Sequence, residues 1–161
     1  MAVSHSTRRV RPRKILTLLF IAAAAAFTTG SYASPSGDEI RIAVVLPITG
    51  REAKPGQYQK EGIELAIKQI NDAGGIMVKA KGKKLPIKEI FYDDASDQAK
   101  SAGLVERAMT TDDVVAVLGG YSTALGEAES VMPDRYQTPW ISPGPARPRF
   151  IVTGINIFSA P

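Results

Sequence analysis

Three short runs of aliphatic and β-branched residues, IRIAVVL at 40–46, LPIKEIFYD at 85–93 and VVAVL at 114–118, alternate with segments whose apolar residues fall at helical spacing. IRIAVVL and VVAVL read as strands buried on both faces, LPIKEIFYD alternates enough to be a strand between them, and strands joined through helices run parallel by right-handed crossovers. The pattern predicts an α/β fold on a doubly wound parallel sheet. Ile63, Ala66, Ile67 and Ile70 mark a helix over 56–73, with Leu65 widening the stripe and Gly74-Gly75 as a left-handed stop. Asp97 caps a helix over 98–110 that carries Ala102, Val105 and Met109, with Leu104 and Ala108 beside them. A third helix is expected over 123–132, ended by Pro133. Short strands follow at 139–142 and 155–158, and residues 77–84 read as a basic, glycine-containing connection.

Charge is distributed unevenly. Arg8, Arg9, Arg11, Arg13 and Lys14 precede an apolar stretch at 15–27, and Ser31-Tyr32-Ala33 puts small residues at −3 and −1 of a cleavage site. That apolar stretch, at ~1.5 Å per residue, is too short for a ~30 Å hydrocarbon core. Residues 1–33 therefore read as a signal peptide, with no stable membrane insertion after cleavage, the alternative being an uncleaved membrane anchor. Arg11-Pro12 after the arginine pair favours the general export route over a twin-arginine one. From Ser34 onward there are 15 basic and 16 acidic residues, a net of −1, which argues against a nucleic-acid partner.

The single histidine is His5, inside the leader, and there is no cysteine. The remainder cannot build a Ser-His-Asp or Cys-His centre, an imidazole or thiolate zinc site, or a haem site of the usual ligand types. No catalytic residue, metal ligand or cofactor is assigned. Carboxylate chemistry and calcium stay open.

In a doubly wound sheet, ligands bind beyond the carboxyl ends of the strands, where the winding reverses. Those ends are residues 47–55, 93–96, 119–123 and 143–147. The loop Gly119-Gly120-Tyr121-Ser122-Thr123 offers close backbone approach and two hydroxyls at a helix start, an anion seat by its chemistry. It fits equally a tight turn in which Thr123 merely caps its own helix. Asp93-Asp94 suits a cation, the acidic pair of a phospho-receiver, or a structural turn in which Asp94 or Asp97 binds local N–H groups. Lys79, Lys81, Lys83 and Lys84 read as a solvated hairpin or a contact to an anionic membrane, and Trp140 as core or as a ligand stacker. Glu127 and Glu129 fall early in the third helix, where acids suit the dipole.

The stretches IRIAVVLPITG, EGIELAIKQINDAGGI, LPIKEIFYDDASDQAKS, VVAVLGGYSTALGEA and TPWISPGPA, in this order from Glu39 to Pro161, resemble the amino-terminal lobe of periplasmic branched-chain amino-acid (Leu/Ile/Val-type) solute-binding proteins of ABC importers. The resemblance implies a two-lobed clamshell of the type I periplasmic-binding fold, with residues 34–161 as the first lobe ending near the first hinge crossing. It implies a small amino-acid-like solute and an inner-membrane permease as partners, no enzymatic activity, and a periplasmic location. On this reading the chain is a partial form, since the second lobe that would supply an ammonium-binding acid lies outside it.

By the same resemblance the solute's carboxylate is received by Tyr121, Ser122 and Thr123, with Thr123 where the family usually offers a serine, and by backbone N–H groups of Gly144 and Ala146. Ala146 replaces a threonine common in the family, and Pro145 has no N–H. A lost hydrogen bond to a charged group costs ~1.5–3 kcal/mol. The aromatic usual after strand one is absent; Pro55 stands near its place and Tyr58 is the nearest ring. Relatives of the same build bind short amides, urea or aromatic acids. The alternative on the same fold is an extracellular ligand-sensing domain of a receptor or regulator, with an exported carboxylate-using hydrolase a distant third.

Overall fold

A computed structural model of the chain describes residues 35–142 and 144. The leader at 1–33, Ala146 and the strand expected at 155–158 lie outside the described residues. Four strands form one parallel sheet: β1 (Ile40–Leu46), β4 (Ile87–Asp93), β5 (Ala116–Gly119) and β6 (Trp140–Ile141), in the order β4-β1-β5-β6. The chain leaves β1 for β4 on one side and returns past it to β5 on the other, so the winding reverses between β1 and β5. Two right-handed crossovers in opposite directions must lie on opposite faces.

The helices obey this. Helix α1 (Ala53–Asp72) joins β1 to β4, and α2 (Gln98–Thr110) joins β4 to β5. Lys60 of α1 lies over the Phe91 ring at 5.0 Å, while Arg107 of α2 lies over the Tyr92 ring at 5.6 Å. Neighbouring residues of one strand thus face different helices, as the pleat demands. On the α2 face, Ala43, Val45, Val105, Ala108, Val114, Val117 and Trp140 form the main buried cluster. Val44 and Leu46 are buried on the α1 face.

Several boundaries differ from expectation. Helix α1 begins at Ala53 rather than 56 because Pro55 sits in its first turn, where the missing N–H has no helical partner to lose. Its stripe is narrower than predicted: Ile63, Ile67 and Ile70 are half-buried, Ala66 is exposed, and Leu65 is 57% exposed. The run 85–93 is two elements. Pro86, unable to donate to a ladder, separates β4 from β3 (Lys83–Leu85), which pairs antiparallel with β2 (Ile76–Val78) through a 3-10 turn over Lys79–Lys81. The basic connection is thus an exposed hairpin. Lys83 pairs with Asp38 at 2.7 Å, and Lys84 donates to the Ala73 carbonyl at the end of α1 at 3.0 Å.

The expected third helix is two. Helix α3 (Thr123–Glu129) stops short, and Pro133 opens α4 (Met132–Tyr136) instead of ending its predecessor, again because a helix start tolerates proline. Asp97 caps α2 as predicted, its carboxylate accepting from the Lys100 N–H at 2.7 Å. Asn71, near the end of α1, accepts from the Ile87 N–H at 2.7 Å and donates to the Ile87 carbonyl at 2.9 Å, mimicking a neighbouring strand at the start of β4. Among the described residues no helix is long and apolar enough to cross a membrane.

Candidate functional site

The loop after β5 starts at Gly120, whose φ of 70° is left-handed and whose missing side chain matters sterically. A Cβ there would meet Ser142 Oγ at 2.7 Å and the Trp140 ring at 2.8 Å. The Gly120 peptide is held from both sides. Its N–H donates to Glu129 Oε1 at 3.1 Å, and its carbonyl accepts from Ser142 Oγ at 2.8 Å.

Tyr121, Ser122 and Thr123 follow, all half-buried. Ser122, not Thr123, is the N-cap: its hydroxyl accepts from the Leu125 N–H at 3.4 Å, and Thr123 is the first residue of α3. Extended backbone at Ser122 (φ −102°, ψ 163°) is what a cap requires, whereas Thr123 has already entered the helix. A hydroxyl that accepts still has its proton to give, so Ser122 retains a donor.

Gly144, beyond β6, lies against this loop. A Cβ on Gly144 would fall 1.7 Å from the Tyr121 carbonyl oxygen, so glycine is required where the two loops touch. The structure thus brings Tyr121 and Gly144 together, with Ser122 and Thr123 next in sequence. Ala146 lies outside the described residues.

Beneath both loops is a buried carboxylate. Glu129 is the last residue of α3 and fully buried, not an acid early in its helix suiting the dipole. Its Oε1 accepts from Ser101 Oγ at 2.5 Å and from Gly120 N–H, and its Oε2 from Trp140 Nε1 at 2.7 Å. Burial pushes the carboxyl up to about 7; the bonds from Ser101, Trp140 and Gly120 oppose this, and the charge of Asp94 adds to it. Asp94 is also fully buried, 3.5 Å from Ser101 Oγ, and burial raises it to about 6, with Asp93 and Glu52 pushing the same way. Trp140 is wholly buried in the core.

Asp93 and Asp94 build the loop after β4. Asp93 Oδ1 accepts from the N–H groups of Ile48, Thr49 and Ala95 at 3.0, 3.2 and 2.9 Å, and Oδ2 from Thr49 Oγ1 at 2.6 Å. Asp94 accepts from the Ser96 N–H at 2.8 Å. These bonds hold Ala95 and Ser96 at φ of 56° and 61°, unusual for non-glycine residues. The acidic pair is a structural turn joining the loops after β1 and β4. An open surface cleft of about 470 Å³ beside it is lined by Arg51, Ala95, Ser96, Asp97, Gln98 and Ala99, and includes none of the predicted ligand residues. Among the described residues no group of three or more acidic, histidine or cysteine side chains is arranged to hold a metal.

Ser101, Glu129 and Ser142 were missed as members of the site's support. Ser101 sits four residues before Val105 and seven before Ala108, in phase with a buried face, and Glu129 is four after buried Leu125. A polar residue in helical phase with the core was the available signal.

The periplasmic binding protein family model matches residues 39–156, and the chain belongs to that family. Over 146 residues it is 30% identical to Leu/Ile/Val-binding protein homolog 3 of Brucella melitensis, covering 90% of this chain and 36% of the relative. It is 40% identical over 105 residues to the leucine-, isoleucine-, valine-, threonine-, and alanine-binding protein of Pseudomonas aeruginosa, covering 65% of this chain and 26% of that one. The chain therefore spans about a third or less of the length of these relatives. Its fold superposes on the branched-chain amino-acid transporter substrate-binding protein LivJ of Streptococcus pneumoniae, solved with isoleucine, with a TM-score of 0.63 and 28% identity over 70% of this chain and 30% of that one. A solute-binding protein of an ABC transporter from Rhodopseudomonas palustris, solved with 3,4-dihydroxybenzoic acid, gives a TM-score of 0.57 at 25% identity over 68% of this chain and 28% of that one. The family and these structural neighbours are solute-binding proteins, and the fold is a partial lobe of the type I periplasmic-binding class.

Proposed function

We propose that residues 34–161 are the amino-terminal lobe of a substrate-binding component of an ABC importer, preceded by a signal peptide over residues 1–33 and ending near the first hinge crossing. It captures a branched-chain amino acid or a related small amino-acid or amide solute in the periplasm and delivers it to an inner-membrane permease, without making or breaking a bond. The observation that carries this reading is the meeting of the loops after β5 and β6, where Gly144 abuts the Tyr121 carbonyl. A carboxylate needs several convergent donors, and the loop at Tyr121, Ser122 and Thr123 offers two hydroxyls where it meets Gly144; by the family resemblance the backbone N–H groups of Gly144 and Ala146 complete the set. The names of the relatives support a branched-chain solute, and the dihydroxybenzoate complex adds aromatic acids to the panel worth testing.

The test is thermal unfolding of the mature full-length gene product with L-leucine, L-isoleucine, L-valine and 3,4-dihydroxybenzoate. A ligand at a hundredfold its Kd stabilises by about 2.7 kcal/mol, which reads as a rise in Tm. Thr123→Ala is expected to weaken the stabilising ligand about tenfold, one charge-assisted hydrogen bond, with little change in the ligand-free Tm. No shift with any of the four compounds overturns the amino-acid-like reading. The intact mass of the periplasmic product checks the leader, with an amino terminus at Ser34 expected.

A further inference from the structure

The side chains under the two loops form a single connected unit. Glu129 Oε1 holds the Gly120 N–H of the first loop, and its Oε2 holds the indole of Trp140, the residue that begins β6 and leads into the second loop. Ser142, two residues after Trp140, closes the circuit by donating to the Gly120 carbonyl. All three residues are at most 1% exposed, so the bonds are sheltered from competing water. Every partner of Glu129 in this circuit donates, which only a carboxylate can satisfy on both oxygens; an amide in its place would point a donor at one of them. Facing Glu129 from the other elements are Ser101 of α2 and, beyond it, Asp94 at the end of β4.

We propose that Glu129 is a positioning residue for solute binding: it fixes the loops after β5 and β6 in register with each other, so that Tyr121, Ser122 and Thr123 present their donors alongside Gly144. It does not touch the solute. The inference rests on the proposed solute-binding reading, and it separates from that reading because the order of the loops can be measured without any ligand.

Amide hydrogen exchange of the ligand-free full-length product tests the positioning itself. The Gly120 amide, held by Glu129 Oε1, is expected to be protected in the wild type and to exchange at least tenfold faster in Glu129→Gln, with the amides of α1 unchanged. Trp140→Phe, which keeps the ring and removes the indole donor, gives a smaller acceleration in the same loop and serves if Glu129→Gln does not fold. The L-leucine Kd is then expected to rise about tenfold in Glu129→Gln. In Leu85→Val, a core truncation in the hairpin strand β3, it stays within twofold despite a lowered Tm. The indole N–H resonance of Trp140, the chain's one tryptophan, is expected to shift on leucine binding although the ring is buried. Unchanged exchange of the Gly120 amide in folded Glu129→Gln and Trp140→Phe overturns the proposal. So does a leucine Kd that follows Tm equally in Leu85→Val and Glu129→Gln. Absence of leucine binding in the wild type defeats the solute reading, while the exchange data still decide whether Glu129 positions the loops.

Discussion

Asp93, behind the loop after β4, and Glu129, beneath the loop after β5, each gather backbone N–H and hydroxyl donors onto one carboxylate, and each ties two loops together. Asp93 accepts four such bonds and Glu129 three. Their acidities nevertheless move in opposite directions. For Asp93, burial pushes the carboxyl up, but the bonds from Thr49, Ala95 and Ile48 outweigh it and leave it below its ordinary value. For Glu129, burial is complete and wins, taking the carboxyl to about 7. Hydrogen bonds to an anion stabilise it only up to the cost of removing its water, and that cost climbs steeply as the last solvent leaves. A half-exposed carboxylate is therefore a cheap way to order a loop, and a buried one a rigid and costly way.

The largest expected effect breaks the costly side. Glu129→Leu takes the Glu129 acceptor from the Gly120 N–H and from the Trp140 indole, each lost bond costing about 1–3 kcal/mol, so urea unfolding is expected to report a loss of about 3–5 kcal/mol. Adding Trp140→Phe to that background removes one of the two donors and should recover part of the loss. Two independent, additive losses would contradict the shared network.

Next in size is the pH dependence. A carboxyl whose folded pKa lies above its unfolded one binds more protons folded than unfolded between the two values, so it favours folding as pH falls through that window. Glu129, with an ordinary value of 4.5 and a folded value of about 7, and Asp94, moving from 3.8 to about 6, both act in this sense. Each faces the other across Ser101, and Asp94 also feels Asp93 and Glu52. Stability is expected to rise as pH is lowered from about 7 toward 4.5, by roughly 3 kcal/mol from Glu129. Asp93 works oppositely: its lowered value contributes stability that is lost only as pH falls below 3.8. Thermal melts of wild type and Glu129→Gln from pH 4 to 8 check this, and the variant's profile should be flatter above pH 4.5.

These two carboxylates also mark how far the sequence could be read. The parallel sheet was legible because apolar runs alternating with helical stripes leave few other ways to bury both; the strand order, and so the switch point between β1 and β5, was not. The Asp97 cap and the loops at the strand ends followed from the same pattern, and the acidic pair at 93–94 was recognisable as a turn. The support of the site was not legible, because Ser101, Glu129 and Ser142 act through contacts made between elements that are distant in sequence. By sequence Glu129 reads as an acid suited to a helix start; only the early end of α3 and the indole of Trp140 place it inside. Pro133 misled for a related reason, since proline marks both the end of one helix and the start of the next, and local sequence cannot say which.

The cheap side of the comparison should give smaller numbers. Asp93→Asn keeps an oxygen for the N–H groups of Ile48, Thr49 and Ala95 but loses the charge and turns an NH2 toward Thr49 Oγ1, so a loss of about 1–2 kcal/mol is expected at pH 7, shrinking at acid pH once the wild-type carboxylate protonates below its ordinary 3.8. Smaller still is Lys68→Ala, which removes an exposed ion pair to Asp72 one turn along α1 and should cost about 0.3–0.5 kcal/mol, less in high salt. This last substitution sets the scale for the others. Lys68 and Asp72 pair two side chains already fixed by one helix, so breaking them frees no loop; Asp93 and Glu129 each fasten segments that the chain alone would leave apart. A loss at Lys68 as large as that at Asp93 would mean that solvent exposure, not the joining of distant loops, governs what a carboxylate contributes here. The ranking of Glu129 above Asp93 would then no longer follow from burial.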